Sequence, residues 1–379
     1  MSKFDIKNIP SEMFEPAVES VDAEGITSEP MTFWQDSFKR LLKNKIAIAS
    51  LIIIAILVVF AVLVPIFSPY SVSRKVSSDI RAVSELPPRV PLLENIGIAD
   101  GTLIKEYTTE MFETFGYKDD QFVILDTFTK NDVEHVRVKE YSYKIKGVED
   151  DYFFFGTDIL GRDMWTRVWY GTGVSLLIGF YAAIIYVLIG TLYGGVAGYN
   201  GGTRLDDIMM RIIEILWGIP SIVILFILFM FMEPGIGPIA IAIALTGWIG
   251  IARMVRAQFL RLRNQEFVLA ARTLGASPTR IITKHLIPNV MAQIIVMASF
   301  SIPGAIFYEA FLAFIGIGLN PAKPSLGVLI NDALATTYGT MPYVYLLVIP
   351  CVILSVLMLS INLLSNGLRD ALDPRMRGN

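Results

Sequence analysis

Cysteine and histidine are nearly missing from this sequence: one cysteine, Cys351, and two histidines, His135 and His285, among 379 residues. So small a set excludes an intrachain disulfide framework and a closed Cys/His zinc site. Cys351 lies inside an apolar run and reads as a small buried hydrophobe. Charge is scarce too, at 18% against about 25% in an average soluble domain. The formal net charge of −3 leaves no global basic footprint for nucleic acid. No secretory signal opens the chain, since the first apolar run starts near Ile46 behind an acidic, proline-containing leader that is expected to stay on its own side.

What is there in excess is apolar residue, 54% of the chain. It is gathered into runs of about 20 residues almost free of charge, the length that crosses a hydrocarbon core of about 30 Å as a helix. The fold class expected is an all-α polytopic membrane protein. Six spans are read: Ile46 to Phe67, Val174 to Ala197, Ile208 to Met232, Ile236 to Val255, Val290 to Leu319 and Met341 to Leu364. The fifth exceeds the need and holds Pro303 and Gly304, which predicts tilt or a break.

Lys and Arg near span ends set the orientation. Lys39, Arg40, Lys43 and Lys45 precede the first span, Arg204 and Arg211 mark the second-to-third connection, and Arg253, Arg256, Arg261, Arg263, Arg272, Arg280 and Lys284 mark the fourth-to-fifth. Arg369, Arg375 and Arg377 follow the sixth, whereas the opposite side has only Lys323 in its short loops. The expectation is a multi-pass cell (inner) membrane protein with both termini cytoplasmic.

The chain divides accordingly into a flexible leader (1–32), an interfacial helix and first span (33–67), an outer insertion (68–152), a membrane core (153–368) with a cytoplasmic loop (257–289), and a tail (369–379). From Phe33 the apolar positions Phe33, Trp34, Phe38, Leu41 and Leu42 alternate with Lys39, Arg40 and Lys43, which suits a helix lying in the membrane interface; an early start of the first span fits as well. In the insertion, His135 to Lys139 partly alternates as a strand does, and Asn131-Asp132 suggests a hairpin turn. It is either a small extracytoplasmic domain or a partly ordered insertion with no ligand of its own.

The loop after the fourth span is the most informative stretch. Asn264 suits an N-cap, Glu266 the positive first turn, and Gly275 the left-handed residue that ends a helix; Ser277 and Pro278 then restart as N-cap and N1, and Pro288 is expected to stop the second helix. A helix, a glycine turn and a second helix exceed what a connector needs. With Phe267 beside the small Ala270 and Ala271, the unit reads as a docking knob, or as an amphipathic linker on the membrane. Within the spans, Glu309 and Glu214 are the ionisable residues nearest the interior, hence candidates for the translocation pathway, although Arg211 offers Glu214 an ordinary i,i+3 pair. Gly190, Gly194 and Gly198 form a small-residue ridge for close helix packing. Trp165 and Trp169 fit an interfacial belt, and Asp206 and Asp207 are expected to be solvated.

Three stretches carry a resemblance. Leu269-Ala270-Ala271, Gly275 and Ile287-Pro288-Asn289 keep the spacing of the coupling loop of ABC-importer permeases, with Leu269, His285 and Ile287 at positions where the family has Glu, Ile and Leu. Phe155 to Asp163 with Arg167, Tyr170-Gly171 and Ser175-Leu176, and Glu309 to Leu319 with Pro321, Pro324-Ser325 and Gly327, resemble the C-type subunit of the dipeptide, oligopeptide and nickel branch. The resemblance covers about 33–70 and 153–375.

It implies six transmembrane helices of the type I importer kind. It also implies a second homologous permease, two cytoplasmic ATPases that bind ATP and Mg, an extracytoplasmic binding protein delivering peptide, and a setting in membrane lipid. Glu266, Phe267, Leu269, Ala270, Ala271, Gly275, Ser277, Pro278 and Pro288 would then couple to the ATPases. No Gly-x-x-x-x-Gly-Lys-Ser/Thr loop is present to cradle phosphates, so this chain is expected to be no enzyme and to hold no cofactor itself. Nickel or another solute remains open as substrate. An ion-coupled secondary transporter is the first rival reading and a receptor the second.

Overall fold

A computed structural model describes residues 32–77, 79–233, 236–317, 322–337 and 343–373. The leader, the end of the fifth span with Gly318, Leu319 and Pro321, Met341, and the C-terminal Arg375 and Arg377 lie outside these residues.

Helix α1 (Phe33–Lys43) opens on a capping box in which Thr32 accepts from the Gln35 amide while the Gln35 side chain accepts from the Thr32 amide. Asn44 ends it in an extended conformation and at once caps α2 (Lys45–Phe67), taking hydrogen bonds from the Ile46 and Ala47 amides. α1 is therefore a separate helix. Its Trp34, Phe38 and Leu42, one face at i,i+4 spacing, are exposed, as are Leu51, Ile52 and Ile56 on α2. A helix apolar all round with so much exposed surface is built for a non-aqueous neighbour.

The insertion contains α3 (Ile80–Val83), β1 (Thr102–Thr108), α4 (Thr109–Thr114), β2 (Phe122–Lys130), β3 (Val133–Tyr141) and α5 (Ser142–Lys146). The sheet is antiparallel in the order β1-β3-β2. The expected hairpin is β2–β3. Its two turn residues, Asn131 and Asp132, sit at φ of 52° and 60°, the left-handed pair that a tight hairpin demands and that Asn and Asp tolerate. β1, not foreseen, completes the sheet by pairing Thr102 with Tyr141 through Thr108 with His135. Val136 and Val138 turn inward, while Val83, Leu86, Tyr143 and Phe153 form a second small core, from which the Leu86 carbonyl accepts a hydrogen bond from the Tyr345 hydroxyl of the bundle at 3.0 Å.

The bundle follows with α6 (Met164–Tyr199), α7 (Arg204–Gly218), α8 (Ser221–Phe229), α9 (Ile236–Thr246), α10 (Ile249–Leu262), α11 (Glu266–Thr273), α12 (Pro278–Ile281), α13 (Ile287–Phe314), α14 (Leu326–Thr337) and α15 (Val344–Leu372). Among the described residues five helices are long and apolar enough to cross a membrane, six if the bent pair α7–α8 is one span. The expected third span is not straight: its halves meet at 76°. Pro220 has no amide hydrogen to donate and forces Ile219 to extended angles, φ −91° and ψ 119°, so the helix cannot run through.

The fifth span departs from expectation in the other direction. Pro288 does not stop a helix; α12 passes through a π-helical turn at Ile282–Leu286 into α13, and the combined helix is continuous from Pro278 to Phe314, past Pro303. A wider π turn relieves the clash and the missing donor of a proline in the following turn. The fourth span reaches Leu262, so the loop read as 257–289 is shortened to the α11 turn between two spans.

The glycine ridge has its partner within the chain. A β-carbon at Gly194 would stand 2.2 Å from the Ala252 carbonyl oxygen, and those at Gly190 and Gly198 would meet Ile251 and Phe259 at 2.8 and 2.6 Å. α6 and α10 thus pack backbone to backbone, with Phe259, Val255 and Ile251 leading into a core shared with α13.

Candidate functional site

The α11 knob projects from one end of the bundle and is built almost as its residues suggest. Chain turns after α10 carry Arg263 and Gln265 amides onto Phe259 and Leu262 carbonyls, so the first extended residue is Gln265, φ −74° and ψ 151°. Gln265, not Asn264, is therefore the N-cap, and its side chain makes no capping bond. At the other end Gly275 has φ +81°. The Ala276 amide bonds to Ala271 O and the Gly275 amide to Arg272 O, both at 3.0 Å, the paired bonds of a Schellman stop. Ser277 then accepts from the Arg280 amide at 3.3 Å with Pro278 at N1.

One side chain anchors the knob. Val268 is wholly buried against a cluster that includes Ile281, Leu286 and Val290. The outer side presents Phe267 at 42%, Leu269 at 44% and Leu274 at 88% exposure, with Glu266 and Ala270 exposed and Ala271 half-buried. Contiguous exposed apolar side chains at a helix end suit a surface that another protein or the membrane covers.

The base beneath is braced by charge. Asp206, expected in solvent, is 1% exposed and takes a bidentate grip from Arg256, Nε to Oδ1 at 2.6 Å and Nη2 to Oδ2 at 2.7 Å. The Gly202 amide donates to the same carboxylate. Arg263 Nη1 donates to Gly201 O at 2.6 Å. The α6–α7 turn folds back over α10 for these donors, which burial of an aspartate requires. Asp207 is exposed.

Glu309 and Glu214 part company. Glu214 is exposed and lies 3.6 Å from Arg211, the ordinary helix-surface pair. Glu309 is 0% exposed, enclosed where α6, α13 and α14 meet. Ser325 Oγ donates to its Oε1 at 2.5 Å, while Ser175 Oγ accepts from the Leu326 amide at 3.3 Å. Trp165 and Trp169 join Phe60, Phe154 and Phe155 in an aromatic cluster at the start of α6.

A second constellation was quoted in the sequence only for its resemblance and not for its chemistry. The stretch 156–163 is a closed turn in which Asp158 Oδ1 accepts from the Leu160 and Arg162 amides and its Oδ2 lies 2.6 Å from Arg162 Nε. Arg167, 0% exposed, reaches Asp158 at 3.7 Å, Asp332 on α14 at 3.7 Å and the Val72 carbonyl at 2.9 Å. Arg162 Nη2 stands 3.9 Å from Asp332 as well. Asp163 caps α6, accepting from the Thr166 amide at 2.8 Å. Thr157 Oγ1 takes the Leu86 amide and gives its own proton to Val83 O. Gly156 must be glycine here: φ is +73° and a β-carbon would press on Leu86 O at 2.3 Å.

The insertion, α6 and α14 are thus joined through one buried ionic node at the end of the bundle that carries the sheet. The legible signal was two acids each followed four residues on by an arginine, of which Asp158 pairs with Arg162 while Arg167 turns from Asp163 to Asp158 and Asp332. Asp332, more than 160 residues on, was not.

Residues 187–378 match the family described as binding-protein-dependent transport system inner membrane component, and residues 32–88 match the N-terminal TM domain of oligopeptide transport permease C. The dipeptide transport system permease protein DppC of Bacillus subtilis is 38% identical over 94% of this chain and 90% of its own length. The oligopeptide transport system permease protein OppC of the same organism is 35% identical over 98% and 100%. Among solved structures, a chain of the inward-facing MetNI methionine ABC transporter covers 55% of this chain and 97% of its own at 20% identity, with a TM-score of 0.46. By the family matches and the likeness to these two permeases along almost its whole length, the chain belongs to the binding-protein-dependent transport system inner membrane components and is a permease of the oligopeptide permease C kind, a multi-pass inner-membrane protein.

Proposed function

We propose that this chain is one half of the translocation pathway of an ATP-driven importer of dipeptides or oligopeptides, and that α11 is its coupling element. The observation that carries the reading is the knob itself, with Leu269 and Leu274 exposed on it, in a chain whose relatives are named as peptide permeases. The second half would be a homologous permease, the knob would sit in a groove of one of two ATPases binding ATP and Mg, and a binding protein would deliver peptide to the opposite end.

The excess of Lys and Arg around α1 and the α11 turn favours the cytoplasm for that end and for both termini, with the sheet outside. This chain supplies no phosphate-cradling loop and hydrolyses no ATP. Its work is mechanical. ATP favours one arrangement of the ATPases, and α11, tied through Val268 to α12, α13 and α10, passes that preference to the spans. Coupling falls to Glu266, Phe267, Leu269, Ala270, Ala271, Gly275, Ser277, Pro278 and Pro288.

Tagging the chain in its own host, extracting it in a mild detergent and identifying stoichiometric companions by mass spectrometry tests the reading. A second permease and two Walker-type ATPases are expected, and peptide uptake should vanish when the chain is deleted. A chain recovered alone, or as a homo-oligomer, in a detergent that preserves such complexes would refute it.

A further inference from the structure

Between Gln265 and Phe267 of the knob and the ends of α10, α13 and α15 lies a cleft of about 830 Å³, inside the range of roughly 300–1,000 Å³ typical of small-ligand sites. Its chemistry is graded. At the mouth stand Arg261 and Arg369, both exposed, and neither is within ion-pair distance of a carboxylate among the described residues. Asp373 on the same rim gives its carbonyl oxygen to Arg40 at 3.1 Å, and the mouth stays net positive.

Further in come the amides of Gln258 and Gln293, and then Met297 and Phe300. Gln293 Oε1 is shielded from solvent and accepts no hydrogen bond among the described residues. A buried acceptor without a donor is costly, and Gln293 as a residue is half-buried and lines the cleft, so rotation of its side chain toward a bound donor would relieve that cost. On α13 the lining residues Asn289, Ala292, Gln293, Val296 and Phe300 follow helical spacing, so one face of the helix fronts the cleft over three turns.

We propose that this cleft is a peptide-binding site, in which Arg261 and Arg369 hold the terminal carboxylate and Gln258 and Gln293 meet the backbone amides. A side-chain amide donates and accepts, so it suits a peptide bond in any sequence. Met297 and Phe300 offer an adaptable apolar wall to varied side chains. Guanidinium is the group best matched to a carboxylate. The inference rests on the peptide-import reading, and it moves substrate contact from the enclosed Glu309 to the α10–α13–α15 cleft.

The test uses the complete transporter in proteoliposomes, with tetra-alanine and tetra-alanine amide as probes. R261Q/R369Q should lower the ratio of acid to amide uptake about tenfold relative to wild type with the same binding protein, the scale of a lost charge-assisted contact. Equal losses for both peptides, or an unchanged ratio, would overturn the site. Independently of transport, Gln293→Cys in a Cys351→Ser background should react with a maleimide, more slowly in millimolar tetra-alanine than in the amide. Labelling that is indifferent to peptide while uptake proceeds sinks the site alone, and a wild-type complex that takes up neither probe sinks the peptide reading with it.

Discussion

Gly275 offers the sharpest perturbation, because space and strain separate there. Its φ is +81°, and a β-carbon would find no atom within 4 Å, so a substitution meets only the backbone penalty. For an ordinary L-residue in the left-handed region that penalty is about 1–2 kcal/mol. Asn pays less, and a β-branched residue more. The loss acts on a helix of eight residues anchored by one buried side chain, Val268. About 1–2 kcal/mol is a factor of roughly 5–30 in the ratio of formed to frayed knob.

Peptide uptake should therefore fall in the order Gly, Asn, Ala, Val. ATPase activity should lose its stimulation by loaded binding protein, while the melting temperature of the purified complex stays put. Hydrogen exchange of the Leu274, Gly275 and Ala276 amides, which close the turn, would accelerate in the same order. A Gly275→Val transporter with wild-type uptake would refute the coupling role. Lost uptake with unchanged exchange would show that the glycine matters for something other than ending α11.

Four further outcomes follow from the same geometry. Gly194→Ala drives a methyl group into the Ala252 carbonyl and should destabilise by about 1–3 kcal/mol, read as a lower melting temperature in detergent; a neutral result would mean that α6 and α10 stand further apart. Asp158→Asn leaves the wholly buried Arg167 short of a partner and should cost about 3–5 kcal/mol, whereas melting equal to wild type would dismiss the node as a stabilising element. Glu309→Gln keeps an acceptor for Ser325 and should transport normally, while Glu309→Ala should melt earlier; lost uptake in the Gln variant with unchanged melting would restore the carboxylate to the pathway.

In the insertion, burial pushes the Asp100 carboxyl up, but the Thr102 hydroxyl and amide and the Lys139 ammonium pull it further down, leaving it below its ordinary value. A depressed carboxylate stabilises above its unfolded pKa of about 3.9 and loses that contribution as pH falls through the folded value. The protection factors of β1 and β3 amides, exchange rates taken relative to the unfolded chain at the same pH, should thus fall below about pH 4, and Asp100→Asn should flatten that dependence. A parallel profile in the variant would exclude Asp100 as the source.

What the residues alone determined is local or one-dimensional. Charge-free runs give the spans because a bilayer accepts little else, Asn131-Asp132 gives the hairpin because few residues tolerate two positive φ angles in a row, and Gly275 with Ser277-Pro278 gives the helix stop and restart because caps are short-range bonds. Proline acted differently from site to site, and the stop expected at Pro288 is the reading that failed. Pro220 bends a span by 76° whereas Pro288 and Pro303 are absorbed, since the outcome depends on whether neighbouring turns can widen and whether packing holds the helix together. Only the tertiary structure decided that Gly194 faces Ala252, that Asp206 is gripped by Arg256, that Asp332 closes the node around Arg167 and that Glu309 is buried against Ser325. Each of these is a pairing between elements distant in sequence, where a charge or a small residue shows that it needs a partner and the fold alone supplies which one.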